Sequence, residues 1–272
     1  SAAAAWASAW LHRKPWVVTV QGSDIFQAPK IGLVRRITRA ALRRTERVIA
    51  LSRSLATATA ALDIPAENIT VVPNGVNLTN FPYQPEAPRQ PIILYVGSLI
   101  SRKAPNVLID AMPEVLKHCP HYRLVMIGEG EMRTDLEAQI ARLGLADHIC
   151  LTGTQTQQQV GEWMRQARLF VLPSYEEGQG VVLVEALASG TPCVGSTAGG
   201  IPDVVTPDVG AVVEPGDADA LAKAIVAVIA NDQRWEVLSF GARQRAETIY
   251  SWDLIAQLLI KIYQSAGQIG HD

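Results

Sequence analysis

Two glutamates stand eight positions apart, at Glu177 and Glu185, after an apolar run at residues 169–172. Paired carboxylates can carry out acid–base chemistry, or they can accept hydrogen bonds from the hydroxyl groups of a sugar. The same spacing also occurs between ordinary surface acids, so the two glutamates alone do not distinguish these hypotheses. The residues around them carry the additional information.

A loop and the start of a helix are predicted between the two glutamates. Gly178 and Gly180 allow a tight loop in which backbone can approach a ligand, and a helix is predicted from about Val181 to a glycine stop at Gly190. The free N–H groups of Gly180, Val181 and Val182 would then face outward at the positive end of the helix dipole, where phosphate binds well. Two carboxylates would repel a phosphate alone. The pattern therefore favours a ligand with hydroxyl groups on either side of a diphosphate.

Short apolar runs alternate along the chain with stretches of helical periodicity. This alternation predicts an α/β fold with a doubly wound parallel sheet, which binds ligands in the loops at the carboxyl ends of its strands. The predicted strands lie at residues 17–20, 48–51, 69–72, 92–96, 122–127, 149–151, 169–172, 192–194 and 210–213.

A proline-rich stretch at residues 80–91 is typical of a stiff linker and divides the chain. We expect a first domain at 1–80, a linker at 81–90, a second domain at 91–230, and a helical tail at 231–272. The sequence starts at Ser1 without an initiator Met. A truncated chain is therefore one hypothesis.

Composition excludes some classes of protein. The net charge is −2 over 272 residues, which argues against a nucleic-acid-binding protein. No apolar run reaches the length of a membrane span, and the N-terminus makes a poor signal peptide. Three scattered cysteines, at positions 119, 150 and 193, favour a reduced, cytoplasmic setting and are expected to be small buried residues.

Several segments together resemble the GT-B glycosyltransferases of group 1, family 4. The stretch from Glu177 to Glu185 is similar to that family's Glu-x7-Glu motif. Residues 72–77 resemble its interdomain link, residues 95–103 its first C-domain strand and phosphate loop, and residues 199–205 its Gly-Gly-Ile-Pro-Glu segment, with Asp203 replacing the glutamate. The resemblance covers residues 15–250. It implies a GT-B fold with a complete C-terminal Rossmann-like domain at 91–230, which binds the nucleotide-sugar donor. The N-terminal, acceptor-side domain at 1–80 would be partial, and the helices at 231–272 would pack back on it.

The resemblance also implies roles for individual residues. Glu177 matches the glutamate that contacts the donor sugar and supports departure of its leaving group, and Glu185 matches the one that holds the ribose hydroxyls. Lys103 matches the lysine that neutralises the diphosphate, so Glu177 and Lys103 are the expected catalytic pair. The other expected donor-binding residues are Ser98, Arg102, Gly178, Gly180, Val181 and Val182. The implied reaction is transfer, with retention, from a nucleotide-diphosphate sugar to a glycan or lipid-linked acceptor, with no metal and no cofactor.

Two positions depart from the family pattern. Ser98 stands where many members have an arginine, so Arg102 would supply the second cation or Lys103 would act alone. Gln21 stands where the family often has a histidine, which puts any acid–base role there in doubt because an amide does not titrate. Asp24 is a candidate either for acceptor binding or for a helix cap or turn.

Residues 30–47 form a basic segment that contains Lys30 and six arginines. Its apolar positions Val34, Ile37, Ala41 and Val48 fall on one face of a predicted helix. The simpler interpretation is an amphipathic helix with a solvated basic face. The alternative is peripheral contact with an anionic membrane surface on the cytoplasmic side, or with a lipid-linked acceptor. Trp6, Trp10 and Trp16 are expected to belong to the N-terminal domain.

Three other functions remain as alternatives to an active transferase. The first is a catalytically incomplete fragment that binds a nucleotide sugar without transferring it. The second is a dinucleotide-dependent oxidoreductase, which is weak because Arg133 replaces the third glycine of the fingerprint that Gly128 and Gly130 begin. The third is an epimerase, for which no catalytic histidine can be placed. The Asp217–Asp219 pair is expected to cap a helix rather than bind metal.

Overall fold

The computed structural model describes residues 16–26 and 32–269, which form two compact units. The first unit contains the described residues up to Gly75 and those from Trp252 onward, and the second runs from Val76 to Ser251. The proline-rich segment 81–90 therefore lies inside the second unit. The assignment of an acceptor side and a donor side to parts of the chain stays a prediction.

Parallel strands and helices alternate through both units. The strands are β1 (Val17–Val20), β2 (Arg47–Ala50), β3 (Ile69–Val71), β4 (Gln90–Val96), β5 (Arg123–Ile127), β6 (Ile149–Gly153), β7 (Ala167–Leu172), β8 (Cys193–Ser196) and β9 (Gly210–Val213). The α-helices are α1 (Ser23–Phe26), α2 (Gly32–Leu42), α3 (Arg53–Ala60), α4 (Pro105–His118), α5 (Arg133–Arg142), α6 (Gln157–Gln166), α7 (Val181–Ala188), α8 (Ile201–Val204), α9 (Ala218–Ile229), α10 (Asp232–Ile249) and α11 (Trp252–Ile269). Short 3₁₀ helices occupy Ala66–Asn68 and Ser101–Lys103.

The first unit is built on a parallel sheet with the strand order β1-β2-β3. Successive residues of a strand face opposite sides of the sheet, and β2 shows this clearly. Val48 and Ala50 pack in one apolar cluster with Leu55 of α3, whereas Ile49 packs on the other face with Ile255 of α11. Helices thus cover both faces of this sheet, as a parallel sheet requires.

The second unit is built on a six-stranded parallel sheet with the order β6-β5-β4-β7-β8-β9. Its centre is β4, which pairs with β5 through Leu94 and Val125 and with β7 through Leu94 and Phe170. The side chains from Ile92 to Tyr95 have no exposed area. This explains why β4 is a continuous apolar run rather than an alternating one.

The α/β fold with parallel sheets is confirmed, but one predicted helix is wrong in its extent. The basic segment was expected to be helical over 30–47, whereas α2 ends at Leu42 and Arg47 begins strand β2. The β-branched pair Val48-Ile49 and parallel pairing with β1 favour the strand, so Val48 is not on the helix. Ile37 is also 53% exposed rather than on a buried face. Lys30, Trp6 and Trp10 lie outside the described residues.

The cysteines are free, and one of them departs from expectation. Cys119 and Cys193 are buried, but Cys150 is exposed on β6. That strand is at the edge of its sheet, where alternate side chains point to solvent. None of the helices in residues 16–26 and 32–269 combines the length and the hydropathy that crossing a bilayer requires.

Candidate functional site

The order of strands in the second unit creates a crevice between β4 and β7. The chain moves outward from β4 through β5 to β6, and then returns to add β7 on the opposite side of β4. The loops after β4 and β7 therefore leave the sheet side by side and lead to opposite faces. Ligands of open α/β sheets bind at such a switch point, at the carboxyl ends of the strands.

The loop after β4 presents Lys103 to this crevice from a short 3₁₀ turn, Ser101–Lys103. A backbone hydrogen bond joins this loop to the loop after β7, since the Arg102 carbonyl accepts the N–H of Tyr175 at 2.8 Å. The Ser98 carbonyl accepts a second hydrogen bond, from the Tyr95 hydroxyl at 3.0 Å. The side chains of Ser98 and Arg102 are themselves exposed. These two residues thus contribute backbone to the walls, and their side chains face solvent.

The central feature of the crevice is an ion pair between Lys103 Nζ and Glu177 Oε2. The two side chains are only 16% and 12% exposed, so water screens their charges weakly. The other carboxylate oxygen of Glu177 accepts the N–H of Gly178 at 3.1 Å. The structure therefore brings together the two expected catalytic residues, which are 74 positions apart.

Two neighbouring groups hold Glu177 in place. The Glu177 carbonyl accepts the N–H of Gly200 at 3.0 Å, which ties the loop after β7 to the loop after β8. Gly199 has a φ of +55°, and a Cβ there would lie 1.8 Å from the Glu177 carbonyl oxygen, so only glycine fits. Beneath the pair, burial and then the charge of Glu177 raise the pKa of the Tyr95 hydroxyl. This hydroxyl therefore stays protonated and can keep donating to Ser98.

Helix α7 begins beside Glu177, as predicted. Its N-cap is Gly180, with a φ of +85° and no side chain to satisfy the first N–H groups of the helix. Those groups have no partner within the helix itself, so they are suited to a bound anion. Val181 is 40% exposed, which leaves the amino end of the helix accessible.

Glu185 lies on the second turn of α7 and is half-buried. Burial raises the pKa of its carboxyl group, while a hydrogen bond from the Gln157 side chain acts in the opposite direction. Glu185 and the predicted phosphate-binding N–H groups therefore share one short helix. Tyr95 and Gly200 belong to segments whose resemblance to the family was noted, but the sequence predicted no individual contacts for them or for Gln157.

Two acidic positions with alternative roles prove to be local structural elements. The Asp24 carboxylate accepts the N–H of Gly22 at 2.7 Å, which makes it part of a turn, and Gln21 next to it is exposed. Asp217 caps α9 by accepting the N–H of Ala220 at 2.8 Å, and Asp219 is an acid in its first turn, as expected.

Two models of protein families match the chain. The model described as glycosyl transferases group 1 matches residues 78–245, which include Lys103, Glu177 and Glu185. The model described as glycosyltransferase family 4 matches residues 1–80.

Similar sequences belong to bacterial sugar transferases. A D-inositol 3-phosphate glycosyltransferase of Xylanimonas cellulosilytica is 33% identical, with 74% of this chain and 52% of the relative covered. A GDP-mannose-dependent monoacylated alpha-(1-6)-phosphatidylinositol monomannoside mannosyltransferase of Corynebacterium glutamicum is 30% identical, with 71% and 55% covered. The chain thus spans about half the length of the curated relatives it matches.

Solved structures of similar fold include Anabaena Alr3699/HepE in complex with UDP. It has a TM-score of 0.87 and 22% identity, and the likeness covers 97% of this chain and 76% of that one. Sucrose-phosphate synthase from Thermosynechococcus elongatus has a TM-score of 0.79 and 23% identity, with 96% and 70% covered. At these identities the likeness establishes the fold, and the predicted GT-B type is confirmed.

Proposed function

The chain belongs to the group 1 family of glycosyl transferases, and from that membership we propose that it binds a nucleotide-diphosphate sugar and transfers the sugar, with retention, to a glycan or lipid-linked acceptor. The observation that carries the proposal is the Lys103–Glu177 ion pair in the crevice between β4 and β7. A partly buried cation is suited to a diphosphate, and a carboxylate in contact with that cation is suited to the hydroxyl groups of the attached sugar.

Each residue has a distinct task in this proposal. The Lys103 ammonium and the N–H groups at the start of α7 stabilise the negative charge that grows on the diphosphate as the bond to the sugar breaks. Glu177 accepts hydrogen bonds from the sugar hydroxyls, and Glu185 accepts those of the ribose. The bond from the anomeric carbon to the diphosphate oxygen breaks, and a bond to an acceptor oxygen forms. The scheme uses no metal and no other cofactor.

Donor binding is expected to rearrange the Lys103–Glu177 pair. In the ligand-free chain the carboxylate occupies the position nearest to the ammonium group, so an incoming diphosphate must compete for Lys103. Once the diphosphate has taken the ammonium, Glu177 is left with the Gly178 N–H and a free oxygen for the sugar. Donor binding thus exchanges the Glu177 carboxylate for the diphosphate as the partner of Lys103.

Glu185→Gln is expected to weaken binding of the nucleoside diphosphate by roughly tenfold, because it removes a charged hydrogen-bond acceptor. Affinity of the unaltered chain should also fall as the pH is lowered, since burial raises the pKa of Glu185 and protonation produces a similar neutral group. Calorimetry with uridine and guanosine diphosphates across pH measures both effects. Glu162→Gln, an exposed substitution on α6, is the control. Equal affinity of the Glu185→Gln variant and the unaltered chain would remove Glu185 from the site.

A second hypothesis is that the chain binds the donor without completing transfer. It is favoured by one observation, which is that the chain spans about half the length of its relatives. Release of nucleoside diphosphate from a nucleotide sugar separates the two hypotheses, with water as the acceptor in a first assay. A chain that binds the nucleotide sugar and releases nucleoside diphosphate from it is a transferase. A chain that binds the nucleotide sugar but releases no nucleoside diphosphate, whichever acceptor is supplied, is the incomplete form.

We also infer that helix α2 contacts an anionic membrane surface from the cytoplasmic side. The segment from Gly32 to Arg44 has five arginines and no acidic residue. Leu33 and Ile37, one turn apart on the helix, are 69% and 53% exposed. A cleft of about 320 Å³ beside them is lined by Arg36, Arg39, Ala40, Arg43 and Arg44. Exposed apolar side chains flanked by arginines suit a surface of anionic headgroups.

The double variant Arg36→Gln, Arg43→Gln is expected to lower partitioning onto vesicles by roughly ten- to thirtyfold, at about 1 kcal/mol for each arginine near the surface. Ile37→Ser should weaken binding further, and Val237→Ser, an equally exposed apolar site in the other unit, should not. Co-sedimentation with neutral vesicles and with vesicles that contain anionic lipid measures this. Equal partitioning onto neutral and anionic vesicles, or unchanged partitioning of the double variant, contradicts the inference.

A further inference from the structure

A second charged cavity lies in the same unit, at the end of the sheet opposite to the proposed donor site. Its volume is about 410 Å³, and its polar lining comes from Arg89, His118, His121, Tyr122, Arg168 and Asp232. Arg89, Tyr122 and Arg168 are at or next to the first residues of β4, β5 and β7. The cavity is therefore at the amino ends of these strands, whereas Lys103 and Glu177 follow carboxyl ends.

Two arginines concentrate positive charge at this cavity. The guanidinium carbons of Arg89 and Arg168 lie 5.6 and 4.6 Å from the ring centre of Trp235. Burial, with smaller contributions from the charges of Arg165 and Arg168, lowers the pKa of Arg89 to about 10. Arg89 is held by neutral oxygen atoms, including the Ser189 carbonyl at 2.6 Å and the Thr191 hydroxyl at 2.9 Å. Its positive charge is therefore not neutralised by these contacts.

Arg168 has an unused donor at the cavity. One of its terminal nitrogens pairs with Asp232, whose side chain is 83% exposed. Its Nε is buried and has no hydrogen-bond partner within the described part of the chain. A buried charged donor without a partner is unfavourable, and in native proteins such a group generally indicates a ligand, an ion or a water molecule. A small anion in the cavity would compete with Asp232 for the terminal nitrogen.

We propose that this cavity is a binding site for a small oxyanion of the phosphate or sulfate type. Arg168 provides its planar fork of donors, which matches the geometry of such oxygens. Arg89, which also lines the cavity, contributes a second positive charge, and the imidazoles of His118 and His121 lie on the lining. The site is independent of the proposed donor site, because Lys103 and the start of α7 take no part in it.

Titration calorimetry with inorganic phosphate at constant ionic strength tests the proposal. We expect saturable binding of one phosphate, and we expect Arg168→Gln to weaken it by at least tenfold. The Arg142→Gln variant, an exposed arginine of α5, is the matched control and should bind like the unaltered chain. No saturable binding, or full binding kept in Arg168→Gln, overturns the proposal.

Asp232→Asn provides a test with the opposite sign. Asp232 is exposed, so the substitution should leave the fold intact, and it removes the carboxylate that competes with the anion for Arg168. We expect phosphate to bind roughly two- to fivefold more tightly, the range that an exposed ion pair is worth. A purely structural role of the Arg168–Asp232 pair predicts no gain in affinity. Unchanged or weaker binding by this variant therefore contradicts an anion site at Arg168.

Discussion

Replacing Lys103 by glutamine is expected to weaken binding of a nucleoside diphosphate by roughly ten- to a hundredfold, the range for hydrogen bonds to charged groups. The Lys103 ammonium group pairs with Glu177, whose loop leads into α7. Glutamine keeps a neutral hydrogen-bond donor next to Glu177, so the variant should fold. Calorimetry with uridine and guanosine diphosphates measures the loss, and thermal unfolding checks the fold.

Two further variants test whether the loss of affinity is specific to the positive charge at Lys103. Lys103→Arg keeps the positive charge and is expected to recover part of the affinity. Lys117→Gln makes the same chemical change at an exposed lysine near the end of α4, and it should have no effect on nucleotide binding. A loss of equal size in Lys117→Gln would indicate a general effect of charge. Full affinity in Lys103→Gln would exclude Lys103 from the diphosphate site.

Glu177→Gln is expected to lower the release of nucleoside diphosphate from a nucleotide sugar about a hundredfold, an effect of the size seen when one stabilising group is removed from an active site. The same substitution should not weaken binding of the nucleoside diphosphate alone. Glu177 competes with the diphosphate for Lys103 in the ligand-free chain, so removing its charge should leave that affinity unchanged or increase it.

The contrast between the two ligands is the informative part of the Glu177 experiment. Nucleoside diphosphate and nucleotide sugar are titrated into the unaltered chain and into the Glu177→Gln and Glu185→Gln variants. Glu177→Gln should lose the preference for the sugar-bearing ligand, and Glu185→Gln should weaken both ligands alike. Identical losses for both ligands in both variants would refute the division of roles between the two glutamates.

Local features of the fold were predictable from the sequence because their signals are local. The start of α7 near Val181 and its stop before Gly190 follow from glycines at both ends of an apolar run. The cap at Asp217 follows from a carboxylate just before a helical pattern. The parallel sheets follow from strands that alternate with helices. The assignment of Glu177, Lys103 and the helix start to one ligand came from resemblance to a family rather than from spacing.

Other features depend on contacts that are distant in sequence. The Lys103–Glu177 pair exists because β4 and β7 are neighbours, and the strand order cannot be read from apolar periodicity. The basic segment was predicted as helix to residue 47, whereas α2 ends at Leu42. The strand predicted from residue 48 begins one residue earlier, because Arg47 pairs with Val17 of β1. The exposure of Cys150 likewise follows from the position of β6 at a sheet edge. In each case the position of a strand among its neighbours in the sheet determines the conformation or exposure of the residue.

The most direct test of the central claim is a crystal structure of the chain with bound uridine or guanosine diphosphate. We predict that a diphosphate oxygen lies within hydrogen-bonding distance of Lys103 Nζ and that another contacts an N–H group among Gly180, Val181 and Val182. The ribose hydroxyls should contact Glu185, and Glu177 should no longer hold Lys103. A nucleotide bound elsewhere, with the Lys103–Glu177 pair intact and the start of α7 unoccupied, would contradict the account.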